Sequence, residues 1–356
     1  MFLQYAGKRS EKEIISDVVP EDCIIDSCAP WILLHGDNLR IMKWLLNAGY
    51  GGKIQLVYID PPFATNMDFR IDSTGRTSTI SMDASADIAY SDTRVWGEFI
   101  EFLRERLILI RELLSDNGSI YLHIDYKIGH YVKVMMDEVF WIQNYRNDIT
   151  RIKCNPKNFQ RRAYGNIKDM ILFYSKWKVP IWNNPTVEMT DDEKSRLFRK
   201  RDEFGRPYTT IPLHAPWVTK NGETWKVWRW ILPPPGRHWR SAPNILEKLD
   251  QDGLIEWSKN GIPRKKIYLD EKEWKKRQDI WEFKDTQYPD YPTEKNLDLI
   301  KTIIEASSNP GDLVLDCFCG SGTTLVGAKL LGRRWIGIDE SKYAIEISKK
   351  RLSYGT

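Results

Sequence analysis

The chain has 356 residues, 42% of them hydrophobic and 29% charged, with a formal net charge of +4, enough for one large core and a smaller second domain. No run of 18 apolar residues occurs and the first residues, MFLQYAGKRSEKEII, lack a basic-then-apolar leader, so no membrane span is expected and the expected location is the cytoplasm. The five cysteines, Cys23, Cys28, Cys154, Cys317 and Cys319, have spacings that fit neither a zinc site nor a disulfide framework, so no metal is expected.

In chain order, Trp31–His35 is an apolar strand ending in Gly36-Asp37, and Leu39, Met42, Leu45 and Leu46 then mark one face of a helix. Ile54–Ile59 is a short β-branched run, the pattern of a buried parallel strand. A polar, Ser/Thr/Asp-rich stretch over 64–97 reads as a long functional loop. A helix is predicted over 98–114 and a strand over 119–124, with another strand at Lys168–Ser175. From about 176 to 285 the α/β rhythm stops, and this stretch reads as an irregular, partly β insert. The rhythm resumes with a helix around Leu297 to Ile304, the strand Leu313–Asp316, a glycine loop, a helix over 324–331 and a strand ending at Asp339.

Charge follows the same division. Residues 1–150 carry 15 Lys and Arg against 22 Asp and Glu, residues 151–285 carry 29 against 18, and residues 286–356 carry 9 of each. The basic middle segment also holds ten of the fifteen tryptophans. Basic residues interleaved with aromatics suit a polyanion whose backbone is neutralised and whose bases are stacked.

Two motifs carry chemistry. FCGSGTT (318–324) lies between the strand ending in Asp316 and a helix, and the next strand ends in Asp339. Glycines after a strand admit a ligand to the backbone and the helix N-terminus, and an acidic residue ending the next strand suits ribose hydroxyls. Leu325 stands where a dinucleotide fingerprint needs a third small residue, and no Gly-Lys-Ser/Thr follows, so an adenosine-bearing cofactor is indicated. The second motif, Asp60-Pro61-Pro62-Phe63, directly follows the Ile54–Ile59 strand. The prolines stiffen a carboxylate and a row of carbonyls at the sheet edge where ligands bind. Asp60 and the Pro61 carbonyl are two acceptors for the hydrogens of a conjugated amine, and Phe63 is a stacking ring. No Pro-Cys dipeptide occurs, which disfavours a cysteine-nucleophile route to C5 of cytosine.

DPPF followed by FCGSGTT, with a large insert between, resembles the β group of amino-methylating DNA methyltransferases, in which the catalytic motif precedes the cofactor loop. LHGDNL (34–39), AYSD (89–92), GSIYLHID (118–125), DEFGRPY (202–208), the stretch 249–271 and YPTEKNLDLI (291–300) are similar to the modification subunits of type III restriction systems and their stand-alone relatives. The resemblance implies a Rossmann-like α/β fold: a mostly parallel seven-stranded sheet with helices on both faces, split into 1–175 and 286–356 around a target-recognition domain at 176–285. It implies S-adenosylmethionine as cofactor, with Phe318, Gly320, Ser321, Gly322 and Thr323 on the methionine part and Asp339 on the ribose. Asp316 is counted with them, Asp37 would contact the cofactor adenine, and Thr293, Lys295 and Asn296 would close over its carboxylate. The family usually has Pro at the place of Asn296. Arg237, Arg240, Arg264, Lys265 and Lys266 are candidates for DNA contacts, and the 64–97 loop would cover a flipped base.

The implied reaction is methylation of adenine N6 in double-stranded DNA, with a homodimer and a restriction subunit as further partners the group allows. The rival readings are N4 of cytosine, for which the family tends to use Ser-Pro-Pro, an RNA adenine methyltransferase, and a DNA-binding relative with a dead core.

Overall fold

The computed structural model describes residues 3–16, 31–62, 67–71, 77–78, 87–92, 96–155, 162, 164–217, 222–285 and 294–354. Its contacts divide the chain into two compact units, Met1–Pro185 with Gln278–Thr356, and Thr186–Arg277. The segments 176–185 and 278–285, read from composition as insert, belong to the first unit. The Ile181 N–H donates to Asn117 O at 3.0 Å, the Asn183 N–H donates to Ala306 O at 2.9 Å, and Ile280–Glu282 pairs with a strand of the large sheet.

The apolar runs of the first unit form one eight-stranded sheet. Its strands are β1 (Trp31–His35), β2 (Ile54–Ile59), β3 (Leu114–Ile124), β4 (Tyr145–Ile152), β5 (Lys168–Ser175), β6 (Ile280–Glu282), β7 (Leu313–Asp316) and β8 (Arg334–Asp339). Their order is β1-β8-β7-β2-β3-β5-β4-β6. Every neighbouring pair is parallel except those made by β5, which is antiparallel to β3 and β4. The three-residue edge strand β6 is the addition to the seven strands expected.

Parallel strands are covered on both faces, and both faces here are apolar. The helices are α1 (Glu11–Ser16), α2 (Asn38–Leu45), α3 (Trp96–Leu113), α4 (Gly129–Phe140), α5 (Leu297–Ser307), α6 (Thr323–Leu330) and α7 (Lys342–Tyr354). Residues of α1 to α4 pack with Val57, Ile59, Leu122 and Ile336 in one core layer, and α5 to α7 pack with Leu56, Tyr58, Tyr121 and Val314 in the other. Within 64–97, expected as loop, Met67–Ile71 pairs antiparallel with Thr77–Ser78 and Asp87–Asp92. The alternation there is too polar to have read as strand.

The second unit is built from short antiparallel pieces. Lys200–Arg201, Pro207–Pro212, Pro263–Tyr268 and Ile255–Trp257 form a four-stranded sheet, and His214–Pro216 pairs with Arg237–Trp239. Its core is Leu213, Trp228, Trp239, Leu246 and Ile255. Three non-glycine residues of this unit, Trp217, Arg229 and Trp230, have φ of 83°, 42° and 58°. Such left-handed backbone costs on the order of 1–3 kcal/mol per residue.

Gly337, buried in β8, lies directly under a side chain of α6. A β-carbon there would meet a methyl of Leu325 head-on and lie 3.0 Å from Leu33 Cδ1. Gly337→Ala should therefore destabilise the protein by about 1–3 kcal/mol through overpacking. A denaturant melt reads this as a lower midpoint at unchanged slope.

Candidate functional site

The parallel register aligns the C-terminal ends of β1, β8, β7, β2 and β3. His35 lies opposite Asp339, Asp316 opposite Gly337, Leu315 opposite Val57, and Ile59 opposite Leu122. Asp37, Asp339, Asp316 and Asp60 are thus delivered to one edge of the sheet by chain segments far apart in sequence.

Each carboxylate meets that edge differently. Asp339 accepts from the Gly320 N–H at 2.8 Å through Oδ2 and from the Ser341 N–H at 2.9 Å through Oδ1, so it fixes the glycine loop, while burial raises its pKa. Asp316 is buried and accepts from the Phe318 N–H at 3.0 Å, and burial lifts its carboxyl to about 7, with Asp60 and Asp339 adding to the rise. Asp37 caps α2 by accepting from the Arg40 N–H at 2.9 Å, and its other oxygen pairs with Arg106 at 3.1 Å. Arg106 also lies 3.5 Å over the Phe102 ring, and Phe102 meets Phe318 at 6.1 Å.

Asp60 follows β2 on the rigid Pro61-Pro62 step. Its Oδ2 pairs with Lys295 Nζ at 2.7 Å, while its Oδ1 is buried and meets no hydrogen-bond donor among the described residues. The sequence reading put Lys295 on the cofactor carboxylate, whereas here its ammonium sits on the catalytic-motif aspartate. Asn296 caps α5 through Oδ1, accepting from the Asp298 and Leu299 N–H groups at 2.9 and 3.2 Å, and its Nδ2 donates to Lys284 O at 3.1 Å. A cap needs a side-chain acceptor, which the proline usual at this place does not have. Phe63 and Thr293, also singled out from the sequence, lie outside the described residues.

The glycine loop is held from behind. Arg351 donates to Ser321 O at 3.1 Å, Ser321 Oγ at 2.7 Å and Thr323 Oγ1 at 3.1 Å, and pairs with Glu294 at 2.8 Å. It thereby ties the loop to the segment that carries Lys295. Gly322, at φ 77°, packs so closely on α7 that a β-carbon would lie 2.7 Å from Ser348 Oγ, and that hydroxyl donates to Gly320 O at 2.9 Å.

A buried polar chain runs beneath the edge and was not legible from motifs. Tyr58 OH lies 2.9 Å from His123 Nδ1, and His123 Nε2 lies 3.1 Å from Asp169 Oδ2. Lys153 donates to Asp169 at 2.6 Å, and the fully buried Arg151 reaches Asp169, Phe283 O and Asp285. Burial and then the Lys295 charge lower the His123 pKa. Burial pushes the Asp169 carboxyl up, but the hydrogen bonds and charges of His123 and Lys153 overcome it and hold the group well below the ordinary range.

In the second unit, Arg237 and Arg240 are exposed. Arg264 donates to Thr210 Oγ1 and O at 2.9 and 2.8 Å, and Lys266 donates to Gly253 O at 2.9 Å. The run Arg264-Lys265-Lys266 lies on one strand, so Lys265 faces opposite to its neighbours and the three are not one patch. Among the described residues no helix is long and apolar enough to cross a membrane.

A sheet edge with a Pro-stiffened carboxylate beside a glycine loop, the buried Asp316 and the half-buried Asp339 is suited to a cationic adenosine cofactor. A family model described as DNA methylase, for N6 and N4 amino methylation, matches residues 54–350, and the chain belongs to that family. The chain is 40% identical over 370 residues to the type II methyltransferase M.EcaI of Enterobacter cloacae, covering 99% of this chain and 78% of that one. It is 25% identical over 361 residues to the Mod subunit of the type III restriction-modification enzyme StyLTI of Salmonella typhimurium, covering 90% of this chain and 53% of that one. Among solved structures, an M1.HpyAVI–SAM complex is 20% identical, with a TM-score of 0.44, covering 90% of this chain and 98% of that one. The protein is a DNA methyltransferase that uses S-adenosylmethionine. The acidic edge fits that cofactor, whose sulfonium and ammonium outweigh its single carboxylate.

The buried Asp316 gives a pH signature. Folding raises its pKa from 3.8 to about 7, so between those values the folded protein holds a proton that the unfolded chain has released, and stability falls as pH rises through that window. Cofactor-free wild type should lose stability relative to Asp316→Asn between about pH 4 and about pH 7. Urea melts of the two proteins across that range check this, and parallel curves would place the ionisation elsewhere.

Proposed function

We propose that the protein methylates N6 of adenine at a short site in double-stranded DNA, with the target base rotated out of the duplex. The observation that carries this reading is the divided state of the Asp60 carboxylate, one oxygen held by Lys295 and the other buried and open to a donor. An exocyclic amine brings two N–H groups and a lone pair delocalised into its ring. Asp60 Oδ1 and the Pro61 carbonyl are suited to accept those hydrogens, and Phe63 to stack on the base. Held so, the lone pair leaves conjugation and is positioned for attack, with Asp60 next to the proton the methylated amine must lose.

The cofactor supplies an electrophilic methyl group. Asp339 and residues 318–323 would hold it, with Asp316 offering a carboxylate to its positive charge. Adenine is favoured over cytosine because Asp, not Ser, precedes Pro61-Pro62, matching the family tendency. The second unit is proposed as the target-recognition domain, with Arg237, Arg240 and one face of the strand that carries Arg264, Lys265 and Lys266 toward DNA, and the 64–97 segment as the cover over the flipped base. A restriction subunit is proposed as partner from the likeness to the StyLTI Mod subunit.

Nucleoside mass spectrometry of DNA from cells expressing the protein tests the target directly. N6-methyladenine is expected, and N4-methylcytosine would overturn the adenine reading. Asp60→Ala should lower methyl transfer by about 100-fold or more while leaving cofactor affinity nearly intact. Lys295→Met separates the two assignments of Lys295. If the ammonium serves Asp60, kcat falls at unchanged cofactor affinity. If it serves the cofactor carboxylate, calorimetry shows weaker cofactor binding.

A further inference from the structure

The second unit buries Trp228 and Trp239 in its core and leaves Trp217 and Trp230 bare, 80% and 87% exposed. Trp228 and Ile231 exchange N–H to carbonyl bonds at 3.0 Å each, so Arg229 and Trp230 are the two central residues of a tight hairpin turn. Both have positive φ. A two-residue turn of that kind strongly prefers Asn-Gly or Asp-Gly, because a β-carbon is strained there. Arg229 is compensated by ion pairs with Glu247, at 2.6 Å, and with Asp250. Trp230 points a large apolar ring into solvent from the same strained backbone, so neither local propensity nor burial accounts for it. Trp217 repeats the combination of exposure and positive φ, with its carbonyl fixed by the His238 ring 2.7 Å away.

Both rings are mounted on one small core. Trp228, next to the turn, meets Trp239 edge-on at 6.0 Å, and Trp239 ends the strand paired with His214–Pro216, which Trp217 follows. The surroundings are cationic. Arg237 and Arg240 flank Trp239, and Arg237 NH1 lies 3.2 Å from His214 Nδ1. Burial and then the charges of Arg237, Arg240 and Arg264 lower the His214 pKa, so three guanidinium groups lie near one imidazole ring. The unit as a whole carries 20 Lys and Arg against 14 Asp and Glu.

We propose that Trp230 and Trp217 stack on base faces of the DNA, presented by strained, rigid backbone, while Arg237 and Arg240 hold the adjoining phosphates. A base has an apolar face of the right size for an indole, and a phosphate backbone matches the cationic flank. The inference concerns DNA contact alone and holds whichever exocyclic amine is methylated.

The test uses the full-length protein and a labelled duplex carrying the site that the wild type methylates. Trp230→Gly suits the turn better than the native residue, so its melting temperature should equal or exceed that of wild type. Its affinity for the duplex should nevertheless fall roughly ten-fold or more, with the slope of log K against log salt unchanged, because no cation is lost. Trp230→Phe should keep most of the affinity. Arg237→Ala should give the opposite signature, a slope shallower by about 0.9 for a lost phosphate contact. Binding by Trp230→Gly within about two-fold of wild type, with methylation intact, overturns the stacking role and leaves the methyltransferase standing. A lower melting temperature with the same loss of affinity would assign the ring to folding and also overturn it. So would a change in oligomeric state at unchanged DNA affinity, which would make the ring a contact between copies.

Discussion

Crowding of negative charge at one sheet edge is the constraint around which the rest of the first unit is arranged. Parallel pairing of β1, β8, β7 and β2 cannot avoid it, since each strand ends in or just before an aspartate and the register brings those ends level. Four relief devices answer it. Asp339 receives two backbone N–H groups, Asp316 retains its proton to about pH 7, Asp37 is paired with Arg106, and Asp60 with Lys295. Hydrogen bonds, protonation and cations lower the cost of each carboxylate to a different degree. The edge that remains is acidic and partly desolvated, an environment that favours a cationic ligand.

The same view connects groups that look structural with the end of β2 that carries Asp60. Tyr58 stands two residues before Asp60, and its hydroxyl begins the chain through His123 and Asp169 to Arg151 and Lys153. That chain crosses β2, β3, β5 and β4 in spatial order, so the sheet is cross-linked at the level where the Asp60 carboxylate emerges. Arg351 does the corresponding work for the glycine loop, holding Ser321 and Thr323 while gripping Glu294, the neighbour of Lys295. The positions of the two motifs are therefore fixed by side chains outside both of them.

What was legible in the sequence was backbone punctuation. Pro61-Pro62 and Gly320 to Gly322 fix chain direction at strand ends, and apolar runs such as IQLVYI identify buried strands without tertiary context. The pairing of Lys295 with Asp60 was not legible, because it depends on sheet order rather than spacing. Strand β4, YRNDITRI, reads as polar, and only the structure supplies the carboxylates that let Arg151 be buried in it. The ends of the insert were misplaced because Trp177 to Pro185 share its composition while hydrogen-bonding to β3 and α5 of the first unit. Asn296 stood out as a departure from Pro, and the helix it caps explains the exchange.

The strand order also bears on how the protein is made. β1 and β2 are adjacent in the chain, yet β8 and β7 lie between them in the sheet. During synthesis the first two strands leave the ribosome with a two-strand gap that only residues 313–339 can fill, after the whole second unit has been translated. Until then each presents an unpaired edge, a hazard for wrong association. β2, β3, β5 and β4 can pair as they emerge, but β1 has no partner strand until the C-terminal segment is made. Closure of the sheet is therefore a late event that joins the two ends of the first unit across the inserted second one.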